Sequence, residues 1–196
     1  NLKKLSDNRN IALANNVILK EYNENVNVKF KYLNKEIKAQ VKLKGGSVKF
    51  HLDKYWSFKV RLQDSNILGL SEFALMHPKR RNYLLEWYAR KLFKYVGLIY
   101  KDYKFVNLYI NGENKGLYAM DENYTENLST KNNRKEGLYL RYSSDICFND
   151  TIDYAKNCWP ENYLKSTRID LLNQNSFLKN DIQIKYLKNA EKKLDL

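Results

Sequence analysis

Three basic residues lie in stretches where apolar and polar side chains alternate, and their types and spacing suit phosphate binding. Lys44 precedes Gly45-Gly46, whose backbone amides are unhindered and can approach an anion. Lys59 and Arg61 are two positions apart, so in a strand they share one face. A lysine point charge and an arginine fork can together clamp a phosphate. A solvated sheet face has the same composition, and the residues alone favour that simpler interpretation.

Two acids, Asp121 and Glu122, close the stretch "VNLYINGENKGLYAMDE" at positions 106–122. Asn-Gly between two apolar runs predicts a β-hairpin, because both residues tolerate positive φ. Alternation along the return strand puts the two acids on opposite faces. A carboxylate at a strand end can pair with a cation, bind a metal or cap a turn. As isolated residues the two acids would most often form a surface pair.

A cluster of cations, "HPKRRN" at 77–82, lies where Pro78 is expected to open a helix. The helix dipole disfavours cations at this end, so an acidic partner is expected, within the protein or outside it. His77 before a proline is more often a packed turn residue than a catalytic base.

Other catalytic and metal-binding patterns are missing from the sequence. There is no Ser-His-Asp set, HExxH or GxGxxG, and "KGGS" lacks the phosphate-loop pattern GxxxxGK[ST]. Cys147 and Cys158 form no CxxC; two free thiols are favoured over a single disulfide between them. No run of apolar residues is long enough to span a membrane, and no signal peptide is visible, which leaves the compartment open.

Composition limits the class of protein. The chain has 196 residues and is 43% hydrophobic, enough for one domain with a core, with or without an appendage. Its formal net charge of +13 is typical of proteins with a polyanionic partner. However, Lys, Asn, Ile and Tyr all have AT-rich codons, so genome composition explains part of this charge.

Hydrophobic periodicity predicts the elements that must position these residues. Alternation predicts strands, and apolar residues at helical spacing predict helices, most clearly through Leu85, Tyr88, Ala89, Leu92 and Val96, with Gly97 as the stop. The predicted strands cover 26–32, 37–43, 56–62, 72–76, 103–110, 117–121 and 138–142. The predicted helices cover 3–15, 78–96 and 177–194, with 145–165 irregular.

The predicted fold class is α+β, an antiparallel sheet packed on helices. We expect a strand-rich N-terminal part over residues 1–144 and the start of a more helical part over 145–196. Because the sequence stops within a helical pattern, we expect the second part to be truncated.

Four segments in order resemble the CotH kinase family, the spore-coat-protein-H type of atypical protein kinases. They are "VKLKGGS", "KYWSFKVRL", the Arg-Asn helix start "RRNYLLEWYARKLFKYVGL" and "VNLYINGENKGLYAMDEN". The last is the most specific, and the resemblance covers about residues 36–128. Two positions depart from the family pattern: Trp56 stands before Ser57 where a lysine is common, and Gly45-Gly46-Ser47 replaces the more usual Gly-Asn-Ser-Ser.

The resemblance implies a kinase-like N-terminal lobe that binds ATP with Mg²⁺ or Mn²⁺ and phosphorylates serine or threonine of a protein substrate. It assigns phosphate contacts to Lys44 and to Lys59 or Lys54, with Arg61 beside them, and makes Glu122 the catalytic-site acid that orients a lysine or helps to hold the metal. The metal ligands themselves are left unassigned.

The family's catalytic and metal-binding aspartates lie downstream of the hairpin, and none is matched here. The aspartates available in that region are Asp145, Asp150, Asp153 and Asp170. We therefore expect this chain to lack the complete active site. Two alternatives stay open: a basic binding module for nucleic acid or polyanionic surfaces, and a non-catalytic structural protein with the same fold. The oligomeric state is not predicted.

Overall fold

The structure, a computed structural model, describes residues 1–15, 18, 20–44, 55–125, 127–135, 139–143, 168–171 and 181–194. The chain divides into two compact units, Asn1–Asn123 and Tyr124–Leu196. Among the helices of the described residues, none is long and apolar enough to cross a bilayer.

The first unit is built on a curled, six-stranded antiparallel sheet. Its strands are β1 (Val26–Tyr32), β2 (Lys35–Leu43), β3 (Phe58–Leu62), β4 (Glu72–Met76), β5 (Tyr103–Ile110) and β6 (Glu113–Glu122). Their order is β1-β2-β3-β4-β6-β5, so the β5–β6 hairpin joins the sheet through β6. The predicted α+β class with an antiparallel sheet is confirmed; the kinase-like character of this lobe stays a prediction.

One face of the sheet carries the hydrophobic core. Cross-strand pairing aligns Val41 with Val60, Val60 with Phe73, and Phe73 with Glu122. Helix α1 (Leu2–Asn15) packs on this face, with Leu5 in the core cluster. The alternation of β1, β2 and β3 in the sequence follows from this one-sided burial.

The opposite face, here called the polar face, carries charged side chains, with small, apolar and aromatic ones among them. Lys42 pairs across the sheet with Lys59, Lys59 with Ala74, Ala74 with Asp121, and Asp121 with Tyr103. Directly opposed residues in antiparallel strands point to the same side. The register therefore brings residues that are far apart in sequence into one row.

The β5–β6 hairpin turns at Asn111 and Gly112, whose φ values are 51° and 84°. These angles are the reason for the Asn-Gly pair. The sequence assigned the whole of 111–116 to the turn and began the return strand at Leu117. The structure corrects this, because β6 already starts at Glu113; a bulge opposite β5 takes up the extra residue, with Gly116 at a φ of 86°.

The predicted single helix from Pro78 to Val96 is wrong. Pro78–Arg81 forms a short 3-10 helix, and α2 begins only at Leu85 and ends at Tyr95. Asn82 and Tyr83 between them have φ values of 51° and 54°, left-handed angles that no helix continues through.

Both ends of this helical region follow from local chemistry. His77 Nδ1 accepts the Lys79 N–H at 3.3 Å, so His77 is a turn residue, as predicted. At the other end Gly97 has a φ of 72°, and the N–H groups of Gly97 and Leu98 donate to the carbonyls of Lys94 and Phe93. This pattern confirms Gly97 as the stop.

Helix α2 does not bury the apolar residues whose spacing predicted it. Leu85, Tyr88 and Leu92 are 61%, 60% and 57% exposed. The side nearer the protein carries the ion pair of Glu86 and Arg90 instead. Charges of this pair act on buried Lys101, so the helix presents its polar side to a cluster of charges described below.

The second unit contains α3 (Asn127–Lys131), β7 (Leu140–Ser143), β8 (Arg168–Leu171) and α4 (Asp181–Leu194). Helix α4 lies within a predicted helix, and β7 overlaps the predicted strand 138–142 and ends one residue later, whereas α3 and β8 were not predicted. The predicted irregular stretch 145–165 lies outside the described residues. The domain boundary predicted at 144/145 also lies outside them and stays a prediction.

Candidate anion-binding site

Lys44 lies on the polar face just beyond the end of β2. Its N–H donates to the Ser57 carbonyl at 2.9 Å and extends the pairing of β2 with β3. Its Nζ lies 3.7 Å from Oδ2 of Asp121, whose side chain is only 4% exposed. A lysine predicted to bind phosphate is therefore held beside a buried carboxylate.

A second lysine, Lys101, shares that carboxylate. Lys101 precedes β5 and is buried, and its Nζ donates to Oδ2 of Asp121 at 3.3 Å. The same Nζ lies 3.2 Å from Oδ1. Two cations thus meet one carboxylate in an environment that excludes most water.

Among the described residues around Asp121, cations outnumber acids. Burial lowers the pKa of Lys44 to about 8; the Asp121 carboxylate opposes that shift, while Lys101, Arg81 and Lys59 add to it. Burial likewise lowers the pKa of Lys101, against the pull of Asp121. Since several cations converge on one acid, a bound anion would stabilise their charged forms.

Tyr103 completes the cluster with a hydroxyl donor. It is Asp121's cross-strand partner in β5 and is buried. Burial, with the nearby Asp121 charge, raises the pKa of Tyr103 to about 12, so its hydroxyl stays protonated. Within the described part of the chain, this hydroxyl meets no hydrogen-bond partner. We call Lys44, Lys101, Asp121 and Tyr103 the lysine–aspartate cluster.

Glu122 projects from the core face, opposite to the lysine–aspartate cluster. Its side chain is buried and accepts the backbone N–H of Asp102 at 2.7 Å, while its own N–H donates to the Asp102 carbonyl at 2.9 Å. The described contacts therefore tie Glu122 to the segment that leads into β5. Asp121 is the acid that lies beside Lys44.

Lys59 and Arg61 meet a different acid. Lys59 Nζ lies 3.8 Å from Glu72, and Arg61 forms a hydrogen bond to the same carboxylate. Burial alone would raise the pKa of Glu72, but the hydrogen bonds from Arg61 and Asn123 outweigh it and lower that pKa. These two predicted phosphate ligands flank the lysine–aspartate cluster on the polar face, with their charge shared by Glu72.

Most of the other predicted site residues lie outside the residues that the structure describes. Lys54, Asp145, Asp150 and Asp153, with both cysteines, lie outside the described residues, and Asp170 lies in β8 of the second unit. Within the described ranges, no three His, Cys, Asp or Glu side chains come together in a way that would hold a metal ion.

The sequence analysis did not predict that Asp121, Lys101 and Tyr103 would lie together with Lys44. The separation of Asp121 and Glu122 onto opposite faces was available from alternation, and the apolar residues Tyr118 and Met120 mark the core side of β6. That pattern assigns Glu122 to the core face and leaves Asp121 for the polar face. Lys101 lies between two elements, where no periodicity indicates burial.

Comparison with known proteins covers more of the chain than the four motifs. The family model described as CotH kinase protein matches residues 41–196, from within β2 to the last residue of the sequence. No curated protein matches the chain. Because the family match spans most of its length and includes every member of the lysine–aspartate cluster, the chain belongs to the CotH kinase family.

Proposed function

We propose that this chain supplies the nucleotide-binding part of an atypical protein kinase, and that the lysine–aspartate cluster binds the phosphates of ATP. The observation that carries the proposal is the contact of Lys44 and Lys101 with the single carboxylate of Asp121. Family membership supports kinase-like chemistry, and the converging cations suit a polyphosphate.

The residues present fit a phosphate group better than a metal ion. Lys44 and Lys101 carry positive charge, and the Tyr103 hydroxyl is a neutral donor, so these three can meet phosphate oxygens. Among the described residues, the Asp121 carboxylate contacts both lysines, and it would serve as their orienting acid. The divalent ion that kinase chemistry uses is therefore not assigned to ligands in the described residues.

ATP would supply the γ-phosphoryl group, which passes to a serine or threonine hydroxyl and leaves ADP, a phosphorylated protein and a released proton. The contribution of this chain to that reaction is electrostatic. Lys44 and Lys101, fixed by Asp121 before substrate arrives, would stabilise negative charge on the phosphate oxygens. Glu122 would act through the Asp102 backbone, keeping Lys101 at the entry of β5 in place.

Calorimetric titration of the full chain with ATP, in the presence of Mg²⁺ or Mn²⁺, tests the proposal. We expect saturable heat that is abolished or strongly weakened in Lys44→Gln and Lys101→Gln. Lys31→Gln, on an exposed part of β1, removes the same charge and should bind as the parent does. Absence of heat from the parent chain would contradict the proposal.

Transfer is measured separately, by following radiolabel from the γ-phosphate of ATP into protein. Binding together with transfer supports a kinase. Binding without transfer by the full-length protein would favour the non-catalytic alternative. Glu122→Leu, which removes the acceptor of the Asp102 N–H, then distinguishes the roles, since a kinase should lose activity whereas a scaffold should lose only stability.

A further inference from the structure

The part of the polar face farthest from Asp121 is strongly basic. Lys29 and Lys31 lie on β1, and Lys38 and Lys42 on β2, all on the same side of the sheet. Lys29 is the cross-strand partner of Lys38. We call these four residues the outer basic surface.

Acidic residues neutralise only part of this surface. Glu36 pairs with Lys29 at 3.0 Å, and Glu72 is already shared by Lys59 and Arg61. Among the residues that the structure describes, Lys31, Lys38 and Lys42 form no ion pair. Lys31 and Lys38 are also exposed, so their charges are available to a partner.

The chemistry between the lysines favours a polypeptide over nucleic acid. The polar side chains among them are Asn27, Gln40 and Gln63, and these described positions hold no aromatic ring on which a base could stack. Proteins that bind single-stranded nucleic acid combine cationic grooves with such rings. An extended acidic peptide instead presents alternate carboxylates about 7 Å apart, which is the spacing of alternate lysines along one strand.

The outer basic surface is continuous with the lysine–aspartate cluster. The row from Lys42 through Lys59 and Ala74 ends at Asp121. Three interstrand spacings separate the ends of this row, a span of at most about 14 Å. An extended chain covers that span with about four residues.

We propose that the outer basic surface binds an acidic segment of the protein substrate, about four or more residues from the hydroxyl that receives phosphate. The substrate class is therefore a protein with an acidic stretch beside its phosphorylated serine or threonine. This inference rests on the proposed kinase function for its purpose, but the docking itself can be measured without transfer.

The test is fluorescence anisotropy of a labelled deca-glutamate peptide, which contains no hydroxyl acceptor, titrated with the full chain at low salt. We expect the dissociation constant to rise about tenfold in K31Q/K38Q/K42Q. The matched control is K188Q/K192Q/K193Q on α4, where the three lysines are exposed and the charge lost is the same. The control should change affinity by less than about twofold, because it leaves all four lysines of the outer basic surface in place.

Three outcomes would overturn the proposal: no binding of the parent chain to the peptide, equal weakening in both triple variants, or tighter binding of a ten-nucleotide oligothymidine than of the peptide. Circular dichroism confirms that each variant is folded, and K38Q alone should weaken binding in the same direction. ATP titration of K31Q/K38Q/K42Q should match the parent. A chain that binds peptide but not ATP would refute the proposed function while leaving the docking surface supported.

Discussion

The Nζ of Lys44 lies 3.7 Å from Oδ2 of Asp121, although Lys44 follows β2, Asp121 lies in β6, and β3 and β4 separate these two strands. Two of the side chains on the polar face between them, Ser57 and Ala74, are small. All of these residues except Lys44 itself are fully buried. The contact thus connects the two halves of the sheet and fixes a cation in a water-poor site.

Replacement of Asp121 by Asn should destabilise the first unit and weaken anion binding. Buried Lys101 and partly buried Lys44 would lose their shared counter-charge. Removing one partner of a buried pair costs about 3–5 kcal/mol when the charge cannot be relieved. Lys44, with its pKa near 8, can release its proton, so we expect a smaller loss of about 1–3 kcal/mol at pH 7.

Urea unfolding at pH 7 and pH 9 measures this loss. The penalty should shrink at pH 9, where Lys44 is mostly neutral in the folded state. Asp64→Asn is the matched control, because Asp64 is exposed and has a φ of 49°, an angle that asparagine tolerates. An Asp121→Asn protein as stable as the control would show that the lysines do not depend on Asp121.

Nucleotide affinity should fall as the pH rises through about 8, because Lys44 loses its charge there. For a single proton the decrease approaches tenfold per pH unit above the pKa. Titrations with ATP at pH 7, 8 and 9 measure it. Lys44→Arg keeps its charge over this range and should flatten the part of the decrease that Lys44 causes. An unchanged pH profile in Lys44→Arg would assign the titration to another group.

The same lysine should make the folded state more stable as the pH rises. Its folded pKa of about 8 lies below the usual value of 10.5, so between these values the unfolded chain binds more protons. The free energy of unfolding then increases with pH over that window. Comparison of the parent with Lys44→Met isolates this contribution; a Lys44→Met protein with the parent's pH slope would contradict it.

The hairpin glycine should contribute to stability without touching the cluster. Gly112 has a φ of 84°, and an added Cβ would meet no atom within 4 Å, so Gly112→Ala introduces backbone strain alone. We expect a loss of about 1–2 kcal/mol in urea unfolding. Asn111→Gly relaxes the neighbouring φ of 51° and should be nearly neutral. Both variants should bind ATP as the parent does, since Asp121 lies at the other end of β6.

Much of the sheet could be predicted because its strands and its hairpin turn depend on residues that are close together in sequence. Alternation of apolar and polar residues in β1, β2 and β3 reflects burial of one face of the sheet. Asn111-Gly112 indicates a tight turn, because both residues tolerate its left-handed angles. The break at Asn82 and Tyr83 could not be predicted, because neither residue type demands a left-handed angle. Tertiary contacts must offset that local cost, and the sequence pattern does not contain them.

The lysine–aspartate cluster was only partly predictable for a related reason. Lys44 was identified by its place before two glycines, but its partner depends on which face of β6 meets the core. No pattern in the sequence indicates that Lys101 is buried, because its burial depends on α2 and β6 and not on its neighbours in sequence. Glu122 was singled out by family resemblance, and its catalytic role stays a prediction.

The apolar side of helix α2 is exposed, and periodicity identified that side but not the direction in which it points. With Leu85 and Leu92 each more than half exposed, L85Q/L92Q should change the free energy of unfolding by less than about 0.5 kcal/mol. The same variant should reduce self-association in analytical ultracentrifugation, since it removes exposed apolar surface.

The other side of α2 should behave in the opposite way. Glu86 and Arg90 are about four-fifths buried, and Glu86 helps to balance the charge of Lys101. Glu86→Gln should therefore cost about 1 kcal/mol or more, because it leaves Arg90 and Lys101 with less compensating charge in a site of low dielectric. A larger loss of stability in L85Q/L92Q than in Glu86→Gln would contradict both predictions, because it would show that the apolar side of α2 is buried in solution.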